Sequence, residues 1–124
     1  MANNFSITFE GDHVKVISDG DKDLEYSTRL WTAVAATCDQ NDCYRVLGIA
    51  DTTSPLSIVE GYDHAELFRE LGIVQNYRIA WVELNEEARS APKFIETVLV
   101  NRGLPGRLFD SVIEAREWLM SDTD

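Results

Sequence analysis

Cysteine and histidine are scarce in this sequence: Cys38, Cys43, His13 and His64 are all it has. Two cysteines cannot make a disulfide framework, and a closed zinc site needs four ligands, which the distant histidines do not complete. Structural thiols are the expectation. Long apolar runs are missing as well. None approaches the roughly 20 residues that span a bilayer, and Met1-Ala2-Asn3-Asn4 lacks a signal-peptide pattern. A cytoplasmic protein without membrane insertion is expected. Positive charge is the third shortage, with 11 Lys and Arg against 22 Asp and Glu and a formal net charge of −11. The acids are spread over both halves, so no basic segment hides behind the total. Nucleic acid is excluded as a partner because it needs clustered cations to neutralise phosphates.

Catalytic signatures are absent too. No Gly-x-Ser-x-Gly, His-Glu-x-x-His, P-loop or dinucleotide fingerprint occurs, so no catalytic residue and no cofactor is assigned. Asp19, Asp21 and Asp23 do not make a calcium loop: the sixth and twelfth positions, which require Gly and Glu, hold Leu24 and Leu30. No metal is expected.

What the sequence does contain is a regular alternation of strand and helix signals. Phe5, Ile7 and Phe9 alternate with polar residues, Gly11-Asp12 supplies a turn, and Val14–Ile17 reads as the returning strand of a hairpin. Ser18 to Asp23 reads as a polar loop ending in a helix cap. Ser27, Leu30, Trp31, Val34, Ala35 and Cys38 then recur at three- and four-residue steps, placing one apolar stripe against a sheet. Tyr44 to Ala50 suits a central strand covered on both faces. Ser54-Pro55 reads as a cap and first turn, with Gly61 interrupting that helix and Asp63–Glu66 restarting it as a capping box. Tyr77 to Leu84 is the next strand. Ser90 and Pro92 open a helix closed by Gly103, Arg107–Phe109 is a short strand, and Ser111–Glu114 caps the last helix. The order β-β-α-β-α-β-α-β-α predicts an α/β fold in one domain, residues 1–124, with an N-terminal hairpin and a mixed, mostly parallel sheet.

That order, with the ending Gly106-Arg107-Leu108-Phe109-Asp110-Ser111-Val112-Ile113-Glu114-Ala115-Arg116-Glu117-Trp118-Leu119 and the strand Arg45–Asp51, resembles the SpoIIAA-like branch of the STAS family. The likeness runs over nearly the whole chain, mainly at core and cap positions. It implies a non-enzymatic regulatory role exercised through a protein partner or a homodimer. It also points to a switch hydroxyl after a central strand. The matching segment here is Asp51-Thr52-Thr53-Ser54, followed by Pro55 where the family tends to have Gly-Leu.

Asp51, Thr52, Thr53 and Ser54 are therefore the candidate contact and switch loop, continuing through the broken helix to Asp63. A phosphate there would add about −1.5 to −2 charges beside helix N–H groups. The alternative function is a small apolar or lipid-like ligand held between helices and sheet, with Phe68 and Phe94 lining the pocket. Lys93, Arg102 and Arg107, around the third helix and last strand, read as scattered surface charge, with contact to an acidic ligand as the lesser alternative. An enzyme using Cys38 or Cys43 with His13 or His64 is the third choice.

Overall fold

The computed structural model describes residues 3–54, 56–101, 103 and 106–121. Among these residues the chain forms β1 (Asn3–Phe9), β2 (Val14–Gly20), α1 (Leu24–Asn41), β3 (Arg45–Thr52), α2 (Ile58–Glu70), β4 (Arg78–Glu83), α3 (Ser90–Asn101), β5 (Arg107–Phe109) and α4 (Val112–Met120). The element order is the one expected. A 3-10 turn at Glu86–Ala88, which no sequence signal marked, joins β4 to α3.

The five strands lie in the order β1-β2-β3-β4-β5; β1 is antiparallel to β2 and every other pair is parallel. Because the parallel strands advance one place at a time in one direction, crossovers of one hand all land on the same face. Accordingly α1, α2 and α3 share one face. Val14, Val16, Val46, Ile79 and Trp81 meet Leu30, Val34, Phe68 and Leu99 there. The opposite strand faces, Leu47, Ala80 and Val82, are covered by Ala115 and Leu119 of α4. The strict alternation along β3 and β4 is the period-2 geometry of a strand buried on both sides.

Two local expectations need correction. Ser18, Asp19 and Gly20 continue β2 rather than forming a loop. They pair with Asn3–Phe5 on one side and Ala50–Thr52 on the other, and the buried Ser18 hydroxyl meets Tyr26 Oη at 2.7 Å. The second correction concerns α2, which is one continuous helix capped by Ser57, not by Ser54. Ser57 Oγ accepts from Glu60 N at 3.2 Å while the Glu60 carboxylate accepts from Ser57 N at 3.1 Å, a complete capping box. Asp63–Glu66 is helix interior. Gly61 does not break the helix, because it is where Phe94 of α3 packs closest: an added Cβ would lie 3.2 Å from that ring. The expected role of Pro55 falls outside the described residues.

This reassignment of the cap has a direct consequence. Ser57→Ala is expected to lose about 1 kcal/mol of stability, whereas the exposed Ser54→Ala stays within about 0.5 kcal/mol of wild type. Urea midpoints at unchanged m-value measure both.

Candidate functional site

The inward faces of β3 and β4 end in polar groups. Thr52 closes β3 and Glu83 closes β4, and both are buried. Glu83 Oε2 accepts from Thr52 N at 2.9 Å and Asn85 N at 3.1 Å, and its Oε1 accepts from the Thr52 hydroxyl. Asn85 Nδ2 donates to Thr52 O at 2.6 Å, closing the link between the two strand ends. On the neighbouring side, Lys22 follows β2. Its Nζ donates to Ser18 Oγ and lies 5.1 Å from the Tyr26 ring centroid. From α2, the buried His64 donates its Nδ1–H to Glu60 O at 2.7 Å, one helical turn back. That bond assigns the proton to Nδ1 and leaves Nε2 as the ring's acceptor.

Lys22, Thr52, Glu83 and His64 line a partly open cavity of about 100 Å³ between the sheet and α1–α3. The rest of its wall is chiefly apolar, with Leu30, Trp31, Phe68, Trp81, Ile95 and Leu99 prominent. Trp31 stands edge-on to Phe68 with ring centroids 4.7 Å apart, and tilted against Trp81 at 5.5 Å. Such arrangements hold aromatic rings in fixed positions. The volume is of the order of the ~150 Å³ engineered apolar cavity that binds benzene.

Burial governs the electrostatics. It lowers the Lys22 amine to about 8, against the opposing pull of Glu83 and Asp19. It also pushes the His64 imidazole below its ordinary value, which keeps the ring neutral. Between pH 8 and 10.5 the unfolded chain holds a proton on Lys22 that the native state has released. The Lys22 contribution to stability therefore rises with pH over that window, and below it the cost of the buried ammonium is fully present; Cys38, whose thiol stays protonated in the native state, works in the opposite direction above about pH 9. Lys22→Met is expected to gain about 1 kcal/mol at pH 7, a value discounted for partial exposure, and to flatten the rise. Urea midpoints of both proteins at pH 7, 8 and 9.5 check this below the range where tyrosines titrate.

The sequence candidates separate. Phe68 lines the cavity, but Phe94 does not: it faces Tyr62 of α2 at 5.0 Å and seals the α2–α3 contact over Gly61. Thr52 lies at the cavity with its hydroxyl committed to Glu83, while Asp51, Thr53 and Ser54 are exposed. Backbone bonds from Thr53 N to Gly20 O (2.9 Å) and from Lys22 N to Ser54 O (2.8 Å) tie that loop to the Lys22 segment. Arg107 borders the cavity in β5, but its guanidinium lies over the Phe109 and Trp118 rings on the α4 face, 5.3 and 5.8 Å from their centroids; Lys93 is exposed on α3, and Arg102 is outside the described residues. Burial pushes the Cys38 thiol up to about 12, which holds it protonated and disfavours it as a nucleophile.

Sequence reasoning missed Lys22 and Glu83, and named His64 only as a partner for a cysteine nucleophile. One of them carried a signal: in Ile79-Ala80-Trp81-Val82-Glu83 the acid stands in phase with the inward Ile79 and Trp81. A carboxylate at such a position must find donors.

No protein-family model matches the chain, and no curated protein matches it. Among solved structures it is similar to a crystal structure of an uncharacterized protein from the DUF3478 family, with a SpoIIAA-like fold, from Shewanella loihica PV-4. The TM-score is 0.56 at 15% identity, over 94% of this chain and 93% of that one. At that identity the likeness shows the fold, which is SpoIIAA-like. No helix among the described residues is long and apolar enough to cross a membrane.

Proposed function

We propose that the chain works as a single-domain, non-enzymatic binding module that holds a small, largely apolar ligand between its sheet and α1–α3. The cavity carries this reading: apolar and aromatic side chains form most of its wall, with a few polar groups among them, the usual make-up of a small-molecule site. The test is native mass spectrometry of protein purified gently from its own host, together with an Ala91→Phe variant that fills the cavity from α3. Wild type is expected to carry an added mass released by organic solvent or to take up toluene. The variant should fold with the same circular dichroism and do neither. Wild type that is bare and takes up no small aromatic overturns the reading.

A regulatory contact with a protein partner or a second copy is the companion reading. It rests on the exposed Asp51, Thr53 and Ser54, and on Val59 and Tyr62, which are 70% and 54% exposed on α2. The hydrogen bonds joining residues 20–22 to 52–54 give a bound ligand a route to this surface. Thr53→Asp or Ser54→Asp should then release a copurifying partner, and retention of the partner by both variants counts against the contact.

A further inference from the structure

The sheet ends on one side in β1, which among the described residues pairs with β2 alone. Edge strands are ordinarily guarded by charge, proline, a bulge or shortness. The opposite edge follows that pattern: β5 has three residues and opens with Arg107. β1 has none of these guards. Asn3-Asn4-Phe5-Ser6-Ile7-Thr8-Phe9 is seven residues long and holds no proline. Its register with β2 runs without a bulge from Asn3↔Gly20 to Phe9↔Val14. It is also free of charge, in a chain of net charge −11 whose other described strands each contain a charged residue.

The phase of the ladder shows which backbone groups are open. Glu10 N donates to His13 O at 2.8 Å, making Glu10 and His13 a bonded pair next to Phe9 and Val14. Bonded and non-bonded pairs alternate in an antiparallel ladder, so Phe9, Ile7, Phe5 and Asn3 turn their N–H and C=O groups outward. On the helix side, Phe5 stands edge-on to Tyr26 of α1 at 5.8 Å, Ile7 is half-buried and Phe9 is 37% exposed. Asn4, Ser6 and Thr8 point to the other face and are exposed.

We infer that β1 is the pairing edge for a second copy of this chain, joined antiparallel about a two-fold axis at Ser6. Charge selects the occupant. In a two-fold antiparallel pair a strand faces itself, so any charge it carried would meet its own like. A neutral strand escapes that repulsion, and β1 offers nothing that attracts a charged segment of another protein. An axis at Ser6 gives full overlap. Asn3 then faces the partner's Phe9, Asn4 the partner's Thr8, Phe5 the partner's Ile7, and Ser6 the partner's Ser6. The outward groups of Asn3, Phe5, Ile7 and Phe9 become bonded pairs. Phe5 and Ile7 meet on one face, and the amide and hydroxyl side chains meet on the other.

Size-exclusion chromatography of the full chain with light scattering is expected to show a dimer that dissociates on dilution. Ser6→Glu with Thr8→Glu alters the exposed face alone. It should keep the wild-type circular dichroism and weaken the dimer about tenfold. Register is read by mixing Ser6→Lys with isotope-labelled Ser6→Glu and weighing the dimers by native mass spectrometry. The ratio of mixed dimer to homodimers should be about threefold above statistical, because opposite charges then face each other across the axis. Wild type that stays monomeric up to its solubility limit overturns the inference. A dimer that survives the double substitution, or a statistical mixture, overturns it by putting the interface elsewhere. Where the double variant fails to fold, amide exchange of wild type decides. The Phe5, Ile7 and Phe9 amides should be protected in the dimer and lose protection on dilution, and free exchange in the dimer overturns the pairing.

Discussion

Glu83→Ala is expected to cost about 3 kcal/mol and to lower Tm by about 10 °C. The side chain is 2% exposed and serves as the common acceptor for two backbone N–H groups and the Thr52 hydroxyl. Truncation leaves those donors without a partner at the joint between β3 and β4. It also removes the carboxylate that favours the protonated form of Lys22. Unmade buried hydrogen bonds cost more than the same bonds contribute when present, so the loss exceeds that of trimming an exposed acid such as Glu86. Glu83→Gln keeps the shape but turns one acceptor into a donor facing other donors, and about half the loss is expected. Urea denaturation of both variants measures the effect. In a double-mutant cycle, Lys22→Met should recover part of the Glu83→Ala loss, since the stranded ammonium is then gone. A Glu83→Ala loss below 1 kcal/mol would contradict the assigned network.

Where a signal was local, the sequence carried the architecture. Hairpin alternation in Phe5–Phe9, the α1 stripe from Ser27 to Cys38 and the Ser111–Glu114 cap each lie within a few residues, and each predicted its element. The end of β2 was different: nothing in Ser18-Asp19-Gly20 favours a strand. Its conformation comes from being paired on both sides, a constraint set by residues 3–5 and 50–52. The start of α2 was legible but misread. Ser57-Ile58-Val59-Glu60 is itself a capping sequence, and Gly61 drew the break because its packing partner, Phe94, lies 33 residues away in the chain. The same limit governed the site. Sequence placed the function beyond the carboxyl end of β3, as for sheets whose strand order reverses. Here the order never reverses. The space opens between the sheet and three helices on one face, as in the alternative sequence reading, and Lys22, His64 and Glu83 line it from separate elements. Only tertiary structure brings such groups together.

Gly48 shows how far the cavity depends on one missing side chain. It sits buried in the central strand β3, directly opposite Trp81 of β4, and both project to the face covered by α1–α3. The indole packs against the glycine, so an added Cβ would overlap its Cε3 and Cζ3. Gly48→Ala carries a gain of about 0.5–1 kcal/mol from reduced backbone freedom in the unfolded chain. Against it stands about 3 kcal/mol for overpacking a close-packed core, leaving a net loss of about 2 kcal/mol. The displaced ring has little choice of direction. Trp31 is already 5.5 Å from Trp81, and the volume beside them is the cavity itself. Trp81 is therefore expected to move into that space, shifting tryptophan emission and abolishing uptake of a small aromatic. Gly48→Ala combined with Trp81→Leu should restore most of the stability, because the clash is with the indole and not with the backbone. Unfolding midpoints, emission maxima and toluene binding of the single and double variants separate the two effects. Loss of stability with binding intact in the single variant would place the ligand elsewhere, since no arrangement of Trp81 over an alanine keeps the present wall.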